Sequence, residues 1–356
     1  MRKTIILLPL WLLLAIPLLT AQGQSFSAVS PSGHTLYYQA NGLQATLMPK
    51  TQQAYTSSYD NLTGRVVVPS KVPYGSDSLT VTRVHNRTFF ACNDLTSVVL
   101  PPTITTLESL CFYSCRALQS IHIGPAVDTI EDLAIYTCPS IDTITVDTAN
   151  TRYDSRGDCN AIICTADSTL LFGCRRTVVP STVRHIGQCA FYHNTPDTLV
   201  LPEGVRTIGY GAFLESFASP RLRVVHLPIT MRTIGESAFE GCQLLNDLQL
   251  NEGLESIGVK AFISNQGLTE VTLPTTLRQL DASAFAGCIR LHTLHFNPDS
   301  CALVGRYYFG NNSTAFANCD SLDTLIIGPN VRYIAPHAFR NLASIRNSRC
   351  PPPYTP

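Results

Sequence analysis

Leu268–Leu291 reads LTEVTLPTTLRQLDASAFAGCIRL, and its apolar residues are Leu268, Val271, Leu273, Leu277, Leu280, Ala284, Phe285 and Cys288, with the series restarting at Leu291. Counted from Leu268 these are steps of +3, +5, +9, +12, +16, +17 and +20, restarting at +23. A helix would repeat near 3.6 and a half-buried strand at 2, so neither period accounts for the stretch. It reads as one coil of a solenoid. A unit of this size cannot bury its apolar face alone, and stacked copies share one core.

The frame recurs. The large side chain of the Ala-Phe position falls at Phe89, Phe112, Ile135, Phe191, Phe213, Phe239, Phe262, Phe285, Phe316 and Phe339, with five of the nine steps equal to 23 residues. A second apolar anchor lies five residues earlier at Val84, Leu107, Ile130, Ile186, Ile208, Ile234, Ile257, Leu280 and Ile334. A 20–29-residue period carrying L-x-x-L-x-L is the signature of a leucine-rich repeat. The expected fold is a β-rich, right-handed leucine-rich-repeat solenoid of about ten ~23-residue coils with little regular helix. Each coil is expected to supply one strand and a tight turn at Ala-Phe.

Outward from the repeats the chain divides as follows. Residues 1–23 carry Arg2 and Lys3, an apolar run from Thr4 to Leu19 broken by Pro9 and Pro17, and small residues after it. This is the pattern of a secretory signal peptide, and the run is short for a membrane span of ~20 residues. Residues 24–82 lack the frame and are expected to form an N-terminal β cap, with a hairpin turning at Asn41-Gly42 in a type I′ turn. The solenoid is expected over 83–348. It is interrupted by an irregular coil at 145–185, expected to carry an extra β-hairpin, and by a second insertion at 297–314. Residues 349–356 are a Pro-rich tail.

These residues resemble the BspA-like leucine-rich-repeat family of bacterial secreted and surface proteins. The motifs are IGQCAF (Ile186–Phe191), IGYGAF (Ile208–Phe213) and IGESAF (Ile234–Phe239), with Gly-Cys-x-x-Leu at Gly287–Leu291 and Leu-Pro strand ends at Leu100, Leu201, Leu227 and Leu273. The resemblance implies an exported, non-enzymatic binding protein, often adhesive toward host or cell-surface proteins. It brings no catalytic residues with it, and a long C-terminal sorting domain of the family's kind is not expected.

Composition narrows the chemistry. Formal net charge is +0 and only 14% of residues are charged, so nothing draws the chain to nucleic acid or an anionic membrane. No G-x-S-x-G, H-E-x-x-H, Walker or G-x-G-x-x-G motif is present, so no enzyme activity, metal or cofactor is expected. Of the thirteen cysteines, Cys92, Cys115, Cys138, Cys242, Cys288 and Cys319 occupy one slot, three residues after the Phe position. Elsewhere that slot holds Asn194, Ser216, Asn265 or Leu342. It reads as a buried, unpaired thiol ladder. The better disulfide candidates are Cys159, Cys164, Cys174 and Cys189, off the ladder.

Two binding features are expected. The middle residue of each strand's apolar-x-apolar triplet points away from the core. It is His122, His226 and His295 in three coils, and Gln249 and Thr272 in others, with Val99, Thr145, Val200 and Ile326 in the same column. This wide, weakly charged face is the candidate dock for a protein or glycan ligand of host matrix or other cells. Arg156-Gly157-Asp158 is an integrin-type tripeptide in the irregular coil, and its glycine also suits an ordinary turn. A structural envelope protein without a host ligand is the alternative function.

Overall fold

The computed structural model describes residues 23–51, 57–59, 62–215, 220–304, 307–308, 311–312, 314–334, 339, 342 and 344–349. Residues 1–22 of the segment read as a signal peptide, the tail after Arg349, Ser216 and part of the second insertion lie outside them. Among the described residues the single helical element is one 3-10 turn, Arg156–Asp158, and everything else ordered is strand or turn.

Each regular coil contributes to three ladders that run along the solenoid. The first is the face strand. Glu270–Leu273 pairs in parallel with Thr293–Phe296, placing Val271 opposite Leu294 and Leu273 opposite Phe296. These four side chains are buried while Thr272 between them is exposed, the two-residue alternation a strand imposes.

The second ladder is one the sequence did not announce. The apolar anchor before Ala-Phe is itself a two-residue strand: Thr207–Ile208, Thr233–Ile234 and Ser256–Ile257 pair in parallel and in register. The glycine that follows the isoleucine explains the recurrent Ile-Gly. A Cβ at Gly209, Gly235 or Gly258 would come within 2.8–2.9 Å of the preceding coil's backbone, so only glycine lets consecutive coils close up there.

The third ladder is the Ala-Phe corner. In most coils the residues two before and two after the Phe position both take the left-handed conformation, as at Lys260 (φ 57°) and Ser264 (φ 61°) around Phe262; at Phe213 only the preceding Gly211 does. Three alternate N–H groups of that corner then point along the solenoid axis. Lys260 donates to the Ala282 carbonyl at 3.1 Å, Phe262 to Ala284 at 2.7 Å and Ser264 to Ala286 at 2.8 Å. A non-glycine residue in this conformation costs roughly 1–2 kcal/mol, offset by corner hydrogen bonds and by burial of the ring between them. The rings Phe191, Phe213, Phe239, Phe262, Phe285 and Phe316 stack face to face at 5.0–5.5 Å with interplanar angles of 5–12°.

The cysteine slot completes the corner. Cys115 donates its thiol to the Phe89 carbonyl at 2.9 Å, Cys138 to Phe112 at 3.0 Å, Cys242 to Phe213 at 3.3 Å, Cys288 to Phe262 at 3.4 Å and Cys319 to Phe285 at 3.2 Å. Asn265 makes the same bond to Phe239 at 2.9 Å. The slot therefore needs a short donor aimed at the preceding coil, which explains why Cys and Asn share it. Cys159, Cys164, Cys174 and Cys189, named above as disulfide candidates, are also free thiols, so the disulfide expectation is corrected. Cys174 instead accepts a hydrogen bond from Asn160 at 3.1 Å.

At the N-terminus Ser25–Val29, Thr35–Asn41 and Gln44–Met48 form an antiparallel meander, and Gln44–Met48 then pairs in parallel with Asp77–Val84. Asp77–Val84 continues into the Thr-Ile ladder through Val84 opposite Leu107, so the meander covers the first coil's open edge. The hairpin turn differs from the expected one. Asn41 stays in the strand opposite Gln44, and only Gly42 has a positive φ, 58°, so the central pair is Gly42-Leu43 in the type II′ pattern. The face ladder already begins at Gly64–Val67, inside the segment read as cap.

The irregular coil is a partition. Ala161–Cys164 and Thr169–Gly173 form an antiparallel hairpin, flanked by Tyr153–Asp154. Ile162 and Phe172 belong to the N-terminal core, whereas Ala161, Ile163 and Leu170 belong to the C-terminal one. Because successive strand residues face opposite ways, one hairpin closes both cores, and its apolar runs AIIC and TLLFG are continuous for that reason. On the corner side the stack passes it by: Asn194 donates to the Cys138 carbonyl at 3.2 Å and Tyr136 stacks on Tyr192 at 4.5 Å.

Two outcomes follow from this packing. Ile162→Ala deletes a fully buried side chain at the partition and should destabilise the protein by about 2–5 kcal/mol in urea unfolding, with hydrogen-exchange protection falling in both halves. Burial also raises the thiol pKa of Cys189 to about 11 and of Cys301 to about 12. An unfolded thiol ionises near 8.5–9, so above that pH the unfolded state loses protons the native state keeps. The contribution is fully present below about pH 9 and declines as pH rises toward 11–12. A melting temperature that holds at pH 8 and drops steadily at pH 9.5 and 10.5 is the expected result.

Candidate ligand-binding surfaces

The face strands present two outward columns. In one, Ser120 and Thr143 precede Thr198, Val224 and Asp247, then Glu270, Thr293 and Thr324; in the other, His122 and Thr145 precede Val200, His226 and Gln249, then Thr272, His295 and Ile326. His122, Gln249, Thr272 and Val200 are exposed and His226 and His295 half-buried, so all five candidate residues share this side of the solenoid.

The face is not one continuous sheet. Hydrogen-bonded strands fall into three groups: Gly64–Val67 to Thr143–Val146, Thr198–Val200 to Asp247–Gln249, and Glu270–Leu273 to Asn347–Arg349. His122 belongs to the first group, His226 and Gln249 to the second, Thr272 and His295 to the third. The hairpin partition separates the first two groups. The outward face expected from the sequence is thus built from three strand groups.

The three histidines are each held by a neighbouring strand. Nδ1 of His122 lies 2.9 Å from Thr145 Oγ1, Nε2 of His226 lies 3.0 Å from Asp247 Oδ2, and Nε2 of His295 lies 2.8 Å from Glu270 Oε1. Thr145 stands directly opposite His122, whereas the two carboxylate pairs cross diagonally between adjacent strands, where long side chains reach one another. Sequence reasoning found the histidines by their place in the triplet but missed Asp247 and Glu270, which stand one outward position earlier. The signal was available, since i and i−2 on a strand share a face.

Arg156-Gly157-Asp158 forms the short 3-10 turn, with Gly157 in the left-handed region at φ 64°. The Arg156 guanidinium is engaged by its own neighbour, donating from Nε to Asp154 Oδ1 at 2.8 Å and from Nη2 to Oδ2 at 2.7 Å. That two-point pair raises the Arg156 pKa further. Beside the turn a cleft of about 710 Å3 opens against the edge strand Thr143–Val146, lined by Asp142, Thr145, Asp147, Asp154, Arg156 and Asp158 among others. Asn160 closes part of that edge, accepting from the Ile144 N–H at 2.6 Å and donating to the Asp142 carbonyl at 2.8 Å. The tripeptide and the first group of face strands thus border one cleft, a juxtaposition the sequence did not announce.

Among the described residues no cluster of three or more His, Cys, Asp or Glu side chains is arranged to hold a metal ion, and no helix is long and apolar enough to cross a membrane.

Stacked short coils, parallel face strands and a buried Phe column define a leucine-rich-repeat solenoid. The BspA-type leucine-rich-repeat region profile matches in six copies over residues 77–157, 173–291, 214–346 and 312–355, and the chain belongs to that family. The family is one of surface proteins and is generally non-enzymatic. Among solved structures, a leucine-rich-repeat protein from Eubacterium ventriosum aligns with 94% of this chain and 98% of its own at 17% identity and a TM-score of 0.56, a likeness of fold. A leucine-rich cell surface protein from Faecalibacterium prausnitzii aligns with 91% of this chain and 94% of its own at 16% identity and a TM-score of 0.41. The pneumococcal vaccine antigen PcpA aligns with 89% of this chain and 92% of its own at 12% identity and a TM-score of 0.41. No match to the chain is found among curated proteins.

If the tripeptide engages a receptor, its guanidinium has to leave Asp154. Asp158→Glu keeps the charge but displaces the carboxylate by one methylene. Unchanged attachment of cells to the immobilised variant excludes the tripeptide, whereas loss of attachment assigns it.

Proposed function

We propose that this protein is an exported, non-enzymatic binding module that takes a protein or cell-surface ligand on the outward face of its strands, acting in adhesion. The observation that carries the reading is the outward column itself. It combines His122, His226 and His295 with Val99, Val200 and Ile326 on rigid, hydrogen-bonded strands and carries little charge. Val99 and Val200 are large apolar side chains left 38% and 62% exposed, and the inward neighbours of Val200, Leu199 and Leu201, are buried. An apolar, pre-organised surface of this kind loses little conformational entropy when a partner covers it. Export rests on the residues 1–23 pattern, and membership of a family of surface proteins supports it.

The irregular coil is the second part of the proposed surface, because its cleft lies beside the first group of face strands. Residues 24–356, purified, should bind a member of an array of host matrix proteins and glycans saturably. The variant with His122, His226 and His295 all changed to Asp adds like charge beside Asp247 and Glu270, and should lose at least about tenfold in affinity, equivalent to about 1.4 kcal/mol, while keeping its circular dichroism. Binding that survives the triple change moves the contact to the cleft beside Arg156. No binding across the array would favour a structural envelope protein.

A further inference from the structure

Where the inserted hairpin ends, three arginines line one cleft. Arg116 follows the Cys115 slot, Arg175 stands at the end of the hairpin, and Arg221 follows Pro220 in the connection to the next face strand. With Thr137, Pro139, His193, Thr195 and Glu215 they line a cleft of about 320 Å3, within the range of small-molecule sites. All three arginines are exposed at the surface, and among the described residues none makes an ion pair.

The one carboxylate lining the cleft is already committed. Glu215 is 3% exposed; its oxygens accept from the backbone N–H groups of Arg221 at 3.0 Å and Leu222 at 3.2 and 3.3 Å, and from the Thr195 hydroxyl. It anchors the Arg221 segment instead of neutralising a guanidinium. Arg175 is oriented by a bond from Nη2 to the Pro139 carbonyl. Burial and the neighbouring Arg221 charge push the Arg175 pKa down, with Asp197 the nearby charge acting the other way. Holding like charges together in this way disfavours the ligand-free cleft and rewards an anion placed between them.

We propose that this cleft binds an anionic saccharide through its carboxylate or sulfate group. Guanidinium forks match the paired oxygens of either group. None of the eight lining residues lies in a strand, so the cleft offers no sheet edge to the backbone of a peptide. It offers instead the Thr137 hydroxyl and the His193 ring, which stacks on Tyr192 at 4.2 Å, as partners for sugar hydroxyls. The site exists because the hairpin is inserted. Arg175 comes from the insertion and His193 and Thr195 from the coil stacked directly on the Cys138 corner. This proposal concerns residues separate from the outward face and stands independently of it.

The test is calorimetric titration of residues 24–356 with glucuronate, glucose 6-sulfate, glucose, inorganic sulfate and a tripeptide bearing a free C-terminal carboxylate. Saturable binding of either acidic sugar, with glucose at least about tenfold weaker, is the expected result. Arg116→Gln and Arg221→Gln should each weaken it at least about tenfold, with Arg116→Lys retaining part and the melting temperatures unchanged. Acidic sugars binding no tighter than glucose, or binding indifferent to both Gln variants, overturns the proposal. Inorganic sulfate or the tripeptide binding as tightly as the acidic sugars overturns its saccharide part, leaving a general anion site or a peptide site.

Discussion

The structure depends on a corner that points its N–H groups along the solenoid axis. Two left-handed residues bracket most Phe positions, as at Phe89, Phe112, Phe191, Phe239, Phe262 and Phe285, and the alternate N–H groups between them donate to the next coil at about the spacing of neighbouring strands, ~4.8 Å. Phe rings 5.0–5.5 Å apart fill the same repeat. Backbone and side chain therefore set one distance, and the Thr-Ile strand and the face strand both follow it. The corner also imposes the short donor three residues after Phe, since a preceding coil's Phe carbonyl lies open there.

The same constraint explains why the molecule can carry insertions. A coil enlarges wherever the corner can still stack, and Asn194 reaching back to the Cys138 carbonyl shows the corner closing across a 56-residue separation. What is looped out between them folds back between the two halves, presenting one face of a hairpin to each. The insertion thus became core on two sides, while its turns at Arg156 and Arg175 remained at the surface. Both clefts described above border those turns. Irregularity in a solenoid is where concave, chemically distinct surface arises, because identical stacked coils produce only repeated columns.

The outward columns illustrate the other mode of recognition. Their side chains are fixed in register by parallel strands, and the histidines are steadied by carboxylates or a threonine on adjacent strands. Such a surface is rigid and weakly charged. The three-way division of the face sheet means that a partner lying along the solenoid crosses separate strand groups, each with its own histidine.

Much of this was written in the sequence. The 23-residue frame of Phe89 to Phe339, the apolar anchors and the inward Cys slot specify a leucine-rich solenoid, because burying one stripe per coil leaves stacking as the only way to exclude water from it. The alternation within a strand likewise told which residues face outward. Tertiary structure alone decided the rest. Disulfide-like spacing at Cys159, Cys164, Cys174 and Cys189 said nothing of whether the thiols meet, since pairing depends on Cβ positions across coils. Gly42, not Asn41, took the left-handed turn because the strand register set the loop at two residues. The Arg156–Asp154 pair was short-range and readable in principle, but the meeting of Arg116, Arg175 and Arg221 was not, for the 59 residues between Arg116 and Arg175 are no multiple of the 23-residue repeat. They meet because a hairpin must close two cores at once, and where it ends is a matter of packing in three dimensions.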